Sequence, residues 1–167
     1  MPNQINFAMQ QQQQTEWCWA AVSSSVSGFY GAPAGPSGGP WQQCEVVNYE
    51  QGQTTCCQNG STAQCNVPWY LEKGLNTVGH LAGPPTPSAE AFLYVQTEIN
   101  GGRPVGVRIG WSGGGGHFVV LRGYDDTNGS QLLDVEDPWY GSSIVDYTAF
   151  STSYQGSGTW TDTYPIN

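Results

Sequence analysis

The chain has 167 residues, of which only 10% are charged, and its 4 Lys and Arg against 13 Asp and Glu give a formal net charge of −9. The length suits one domain built on its own core. The acidic balance leaves no basic surface for gripping phosphates, which argues against a nucleic-acid partner, and no apolar run approaches the ~20 residues of a membrane-spanning helix.

In chain order, a short extended lead-in and the polar run Gln10 to Gln14 precede TEWCWAAVSSSVSGFYG. There Trp19, Val22, Val26 and Phe29 recur at helical spacing and Gly31 is a natural stop, so Cys18 is expected in the first turn of a helix. Residues Ala32 to Pro40 read as a Gly- and Pro-rich loop, and Gln42 to Glu50 as a second short helix. Pro68 suits the first position of a helix over VPWYLEKGLNTVG, and Ser88 suits the N-cap of AEAFLYVQTEIN, which Gly101 and Gly102 end.

From Pro104 onward the chain changes character. PVGVRIGW, HFVVLRGYD, QLLDVEDPW, SSIVDYTAF and GTWTDTYPI are alternating or apolar, rich in β-branched and aromatic residues, and separated by turn residues. Helices first and strands second predict an α+β fold with an antiparallel sheet. We expect one domain over residues 1–167, with a helical half over about 10–100 and a β half over about 103–167.

The five cysteines divide as one plus four: Cys18 stands between two tryptophans, and Cys44, Cys56, Cys57 and Cys65 crowd into one segment. The cluster reads as two disulfides in an oxidising compartment. A direct bond between Cys56 and Cys57 would need a strained ring, so each is expected to pair outside the dipeptide, with Cys44 or with Cys65. The rival reading, a metal site of Cys56, Cys57, Cys65 and His80, lacks the usual CxxC knuckle, and no metal is expected. Residues Met1 to Gln4 carry neither a basic nor an apolar leader region, so a secreted, extracellular protein whose leader has been removed is expected.

Cys18 is the sharpest chemical feature, because unpaired N–H groups and the dipole at a helix N-terminus favour the thiolate, which is the nucleophilic form. Of the two histidines, His117 begins a strand directly after WSGGGG, where the strand holds it firmly and the glycines leave room for a substrate backbone. An imidazole base needs a partner that fixes its tautomer, and Asp137 ends the strand VED. Alternation puts Asp134 and Glu136 on one face and Asp137 on the other. Taken singly these residues are bland: a buried cysteine, a turn histidine and a strand-ending aspartate. Their joint order is not.

QTEWCWAA, GGHFVVLRGYD and VEDPWYG together resemble the papain-like cysteine proteases, over about Gln12 to Tyr140. The likeness is to a compact bacterial branch that includes a plant-pathogen effector protease and secreted proteins with a QCE…CC…C segment. It implies a papain-like fold in which the helix bearing the nucleophile packs on the C-terminal sheet. It further implies Cys18 as nucleophile, His117 as general base and acid, and Asp137 as the group orienting the histidine. Gln12 and the backbone N–H of Cys18 would stabilise the oxyanion, and Trp139 would shield the histidine–aspartate pair. Many plant and lysosomal members have Asn where this chain has Asp137.

The implied activity is endopeptidase hydrolysis of protein or peptide substrates through a Cys-His-Asp triad and an acyl-enzyme. No cofactor is required, and a monomer is expected. The alternatives are deamidation, transglutamination or peptidoglycan amide cleavage on the same machinery, or a catalytically silent binding module displaying its aromatics.

Overall fold

The computed structural model describes residues 1–167. Helix α1 (Cys18–Tyr30) runs through the centre of the protein and ends at Gly31, whose φ of 77° lets its N–H return to the Ser27 carbonyl. Its serines are buried, but their hydroxyls are satisfied. Ser23 and Ser25 donate to the carbonyls of Trp19 and Ala21, and Ser24 donates to the carbonyl of Trp41.

Helix α2 (Gln43–Gln51) is capped by Glu45, whose carboxylate accepts from the Gln42 N–H at 2.9 Å. Helix α3 (Leu71–Thr77) packs on α1 where Gly74 faces Ser23, a position at which any side chain would collide with the serine hydroxyl. Helix α3 begins three residues after Pro68, so Pro68 is not its first residue. Residues 67–69 are engaged otherwise: the Val67 carbonyl accepts from Trp19 Nε1, and Trp69 Nε1 donates to Glu50.

Helix α4 (Phe92–Asn100) likewise starts later than Ser88 suggests, with Ala91 at its N-cap. Ser88 lies in a bend beside the sheet edge, where Thr86 pairs with Thr163 and the Ser88 carbonyl accepts from the Thr163 hydroxyl. Tertiary pairing has overridden the local capping preference.

The sheet contains β1 (Asn3–Gln4), β2 (Val105–Trp111), β3 (Gly116–Asp125), β4 (Leu132–Glu136), β5 (Ser143–Asp146) and β6 (Gly158–Pro165), all antiparallel in the order β5-β4-β3-β2-β6, with β1 beside β3. The segment SSIVDYTAF is strand only to Asp146. There the carboxylate accepts from the N–H groups of Thr148 and Ala149, and helix α5 (Tyr147–Ser153) begins.

Strand β3 explains why one sheet serves two cores. Phe118 and Val120 enter a cluster with Trp17, Trp19, Val22 and Leu75, whereas Val119 and Leu121 enter another with Val95, Ile99, Phe150 and Trp160. The fold is α+β, as expected, with α1 to α3 feeding the first core and α4 and α5 the second. No helix is long and apolar enough to cross a membrane.

Candidate active site

The start of α1 is anchored from both sides of Cys18. Trp17 Nε1 donates to the Cys65 carbonyl at 2.8 Å and Trp19 Nε1 to the Val67 carbonyl at 3.0 Å, with both rings buried. Gly60 lies so close to the Trp17 ring that a Cβ there would come within 2.6 Å of it.

Disulfides Cys44–Cys57 and Cys56–Cys65 close this loop, so the pairing runs outside the dipeptide and the cysteine metal set is not formed. Cys18 is the free cysteine. As the first residue of α1, it has a backbone N–H with no intrahelical acceptor, and none outside the helix receives it.

Strand β3 delivers His117 to this helix end. Its Nε2 donates to Asp137 Oδ1 at 2.7 Å, and the ring lines the same cavity as Cys18, whose thiol is close enough to act on the imidazole. Both His117 and Asp137 are buried. Burial alone would depress the imidazole pKa, but the hydrogen bonds and charges of Asp137 and Cys18 outweigh it and raise it to about 9. Burial would raise the Asp137 pKa, yet the bond and charge of His117 and two backbone N–H groups hold it below the ordinary carboxylate range.

Those N–H groups come from Trp139 at 2.7 Å and Tyr140 at 2.9 Å, and the Tyr154 hydroxyl donates to Oδ2 at 2.8 Å. Asp134 and Glu136 face elsewhere, paired with Arg122.

Two expectations change. Trp139 touches Asp137 through its backbone, but its side chain is 53% exposed and makes no ring pair with His117. The rings beside the imidazole are Trp111, stacked at 6.1 Å, and Tyr140, edge-on at 6.3 Å. The short turn after Pro138 turns the Trp139 ring outward, while β2 carries Trp111 on the face that Ile109 shares with its cross-strand neighbour His117.

Gln12 does line the cavity with Cys18, held there by its N–H to the Pro138 carbonyl at 2.9 Å. Its Nε2 donates at 2.9 Å to both the Gln14 and Thr15 carbonyls, and its buried Oε1 has no partner. In the resting site the backbone N–H of Cys18 is therefore the free donor, and the Gln12 amide is engaged.

The sulfur lies in a cleft that continues on both sides. One cavity of about 340 Å³ is lined by Gln12, Cys18, Trp111, His117, Trp139 and Tyr140. On the other side a cavity of about 120 Å³ at Cys18, Trp69, Arg108 and Phe118 adjoins one of about 550 Å³ that shares the last three residues. His80, the other histidine, is remote from this chemistry: it is stacked on Tyr30, with its ring nitrogens against the carbonyls of Ala32 and Asn167.

Tyr154, Trp111 and Arg108 escaped sequence reasoning. Trp111 was legible in principle, because it sits two residues beyond Ile109 on the same strand face. Tyr154, in the turn-like STSYQG, carried no signal.

Among known proteins, the model of the peptidase C39-like family matches residues 4–162. The crystal structure of the peptidase domain of Streptococcus ComA, a bifunctional ABC transporter involved in quorum sensing, is similar with a TM-score of 0.59. That likeness, at 15% identity, covers 96% of this chain and 99% of that one and speaks for the shared fold. No curated protein matches the chain.

Proposed function

The chain belongs to the peptidase C39-like family and is a cysteine peptidase, and on that premise we propose that it is an endopeptidase working through Cys18, His117 and Asp137. The observation that carries this reading is the buried aspartate–imidazole pair brought against the one free thiol, inside a cleft open to both sides of the sulfur. A cleft that continues past the nucleophile accepts the middle of a chain.

The charges suggest the steps. His117, its pKa raised to about 9, takes the proton of Cys18 and becomes the imidazolium. The thiolate attacks the peptide carbonyl carbon, forming the S–C bond, and the carbonyl oxygen takes the negative charge beside the Cys18 N–H, joined by Gln12 once its amide releases a carbonyl. His117 gives its proton to the leaving nitrogen as the C–N bond breaks. It then takes a proton from water, which hydrolyses the thioester and restores the thiol. Asp137 keeps the ring oriented and stabilises its cationic form.

The two disulfides support an extracellular setting for this chemistry. The QCE…CC…C segment supports a place in the compact bacterial branch with the plant-pathogen effector protease.

Incubation with a denatured protein, followed by mass spectrometry, tests the reading. Internal cleavage should be lost in Cys18→Ser and His117→Ala, with an acyl-thioester on Cys18 trapped at low pH. Release of ammonia from glutamine side chains without cleavage of the chain would replace it with the deamidase alternative.

A further inference from the structure

Arginine is scarce in this chain, and two of its three arginines are committed. Arg103 pairs with Glu98 at 2.7 Å, and Arg122 with Asp134 at 3.0 Å and Glu136 at 3.1 Å. Arg108 has no ion pair, although Asp162 stands directly across from it on β6 and acids outnumber bases 13 to 4.

Its guanidinium instead extends towards Gly116, where a Cβ would lie 2.7 Å from Nη2, so the glycine keeps space for it. Nη1 donates to Thr161 Oγ1 at 2.9 Å, the register shift between Arg108 and Ile109 having brought that residue alongside. Nε and Nη2 have no acceptor among the hydrogen bonds.

This half-used guanidinium lines both the cavity of about 120 Å³ at Cys18 and the adjoining one of about 550 Å³, and it is the only cation lining either. The protonating imidazole tells the two directions of the cleft apart. His117 lines only the cavity on the opposite side of the sulfur, so the leaving amine departs there, and the acyl half of the substrate occupies the Arg108 side.

Resting on the peptidase reading, we propose that Arg108 recognises an acidic side chain within the two residues preceding the cleaved bond. The planar fork offers a carboxylate two donors at once, against walls of Phe118 and Trp69 that limit competition from water. The small cavity carries one acid, Glu16, whereas the larger one carries two, Glu72 and Asp162, so an acidic side chain is opposed less at the near end than further from the cut.

The test is kcat/KM on matched peptides carrying Glu, Gln or Lys at each of the two positions before the cut. Salt is held at 0.15 M, where the chain's net charge of −9 is screened beyond ~8 Å. The wild type should prefer Glu over Gln by about tenfold at one position, Arg108→Gln should level the ratio, and Arg108→Glu should reverse it in favour of Lys. The reversal is a gain that misfolding cannot imitate. Cleavage indifferent to charge at both positions, or a preference that survives Arg108→Gln, overturns the proposal and leaves the peptidase standing. If no peptide is cut although iodoacetamide still alkylates Cys18, peptide cleavage itself fails and this inference falls with it.

Discussion

The Tyr154 hydroxyl donates to Asp137 Oδ2 at 2.8 Å, with both residues buried, so the carboxylate that orients His117 is itself held by the residue that caps the C-terminal end of α5. Burial, together with the Asp137 charge and hydrogen bond, keeps the phenol pKa above its ordinary value, so it remains a donor throughout the working pH range. Tyr154→Phe removes that donor and leaves Oδ2 without its buried partner. The expected loss is about 1–3 kcal/mol of folding stability by urea denaturation. A fall in kcat of about tenfold should accompany it, because Asp137 Oδ1 keeps His117 and two backbone donors but the carboxylate gains freedom to turn. Unchanged stability and turnover would show that Oδ1 alone holds the carboxylate.

The imidazole should titrate near 9 in the folded protein, against about 6.5 unfolded. Because the folded state binds that proton more tightly, the resulting stabilisation is complete below about pH 6.5 and is lost as the pH rises through about 9. It amounts to at most about 3 kcal/mol. For Asp137 the direction is opposite: its lowered pKa favours folding above the ordinary carboxylate range, and that contribution is lost as the pH falls below it.

Asp137→Asn removes the charge and should lower the His117 midpoint seen in imidazole NMR. It should reduce turnover less than His117→Ala, since an amide oxygen still accepts from Nε2. A midpoint that stays near 9 would mean that Cys18 alone sustains the imidazolium. A variant as inactive as His117→Ala would mean that the negative charge is obligatory.

The separate pieces of this site were legible in sequence because each carries a local signal. Cys18 follows a helix-start pattern, His117 follows glycines into a strand, and Asp137 stands before a strand-ending proline. Relations between distant segments were not legible. Whether Cys56 pairs with Cys44 or Cys65 depends on how the loop folds over Trp17, and local periodicity does not report that. Pro68 and Ser88 suggested helix starts that tertiary contacts moved, and Asp146 concealed α5 because β-branched and aromatic residues continue past it. Trp139 misled for a similar reason: a residue two positions after Asp137 can shield only if its turn points the ring inward, and this one does not.

The disulfides should matter to catalysis as well as to stability. Cys65 offers its carbonyl to Trp17, next to the nucleophile, so the Cys56–Cys65 bridge braces the head of α1, whereas Cys44–Cys57 ties α2 to the loop. Thiol labelling of the native protein without reductant should modify Cys18 alone, and after reduction and unfolding all five cysteines. The double variant Cys56→Ser/Cys65→Ser should lose about 2–4 kcal/mol and slow turnover more than Cys44→Ser/Cys57→Ser. Equal turnover in the two double variants would confine the bridges to a stabilising role.

Gln12 presents the sharpest choice between positioning and chemistry. At rest its Nε2 serves the Gln14 and Thr15 carbonyls and holds the chain leading to Cys18, while Oε1 is buried without a partner. If the amide turns one N–H to the developing oxyanion, Gln12→Ala should lower kcat by about 10²–10³ with little change in KM, because the donor acts mainly in the transition state. Alkylation of Cys18 by iodoacetamide passes through no oxyanion, so it should remain close to the wild-type rate. If the residue only braces the 12–15 turn, the sulfur itself is displaced and both reactions should slow together. Measured side by side, parallel losses would remove Gln12 from the oxyanion site and leave the Cys18 N–H as its donor.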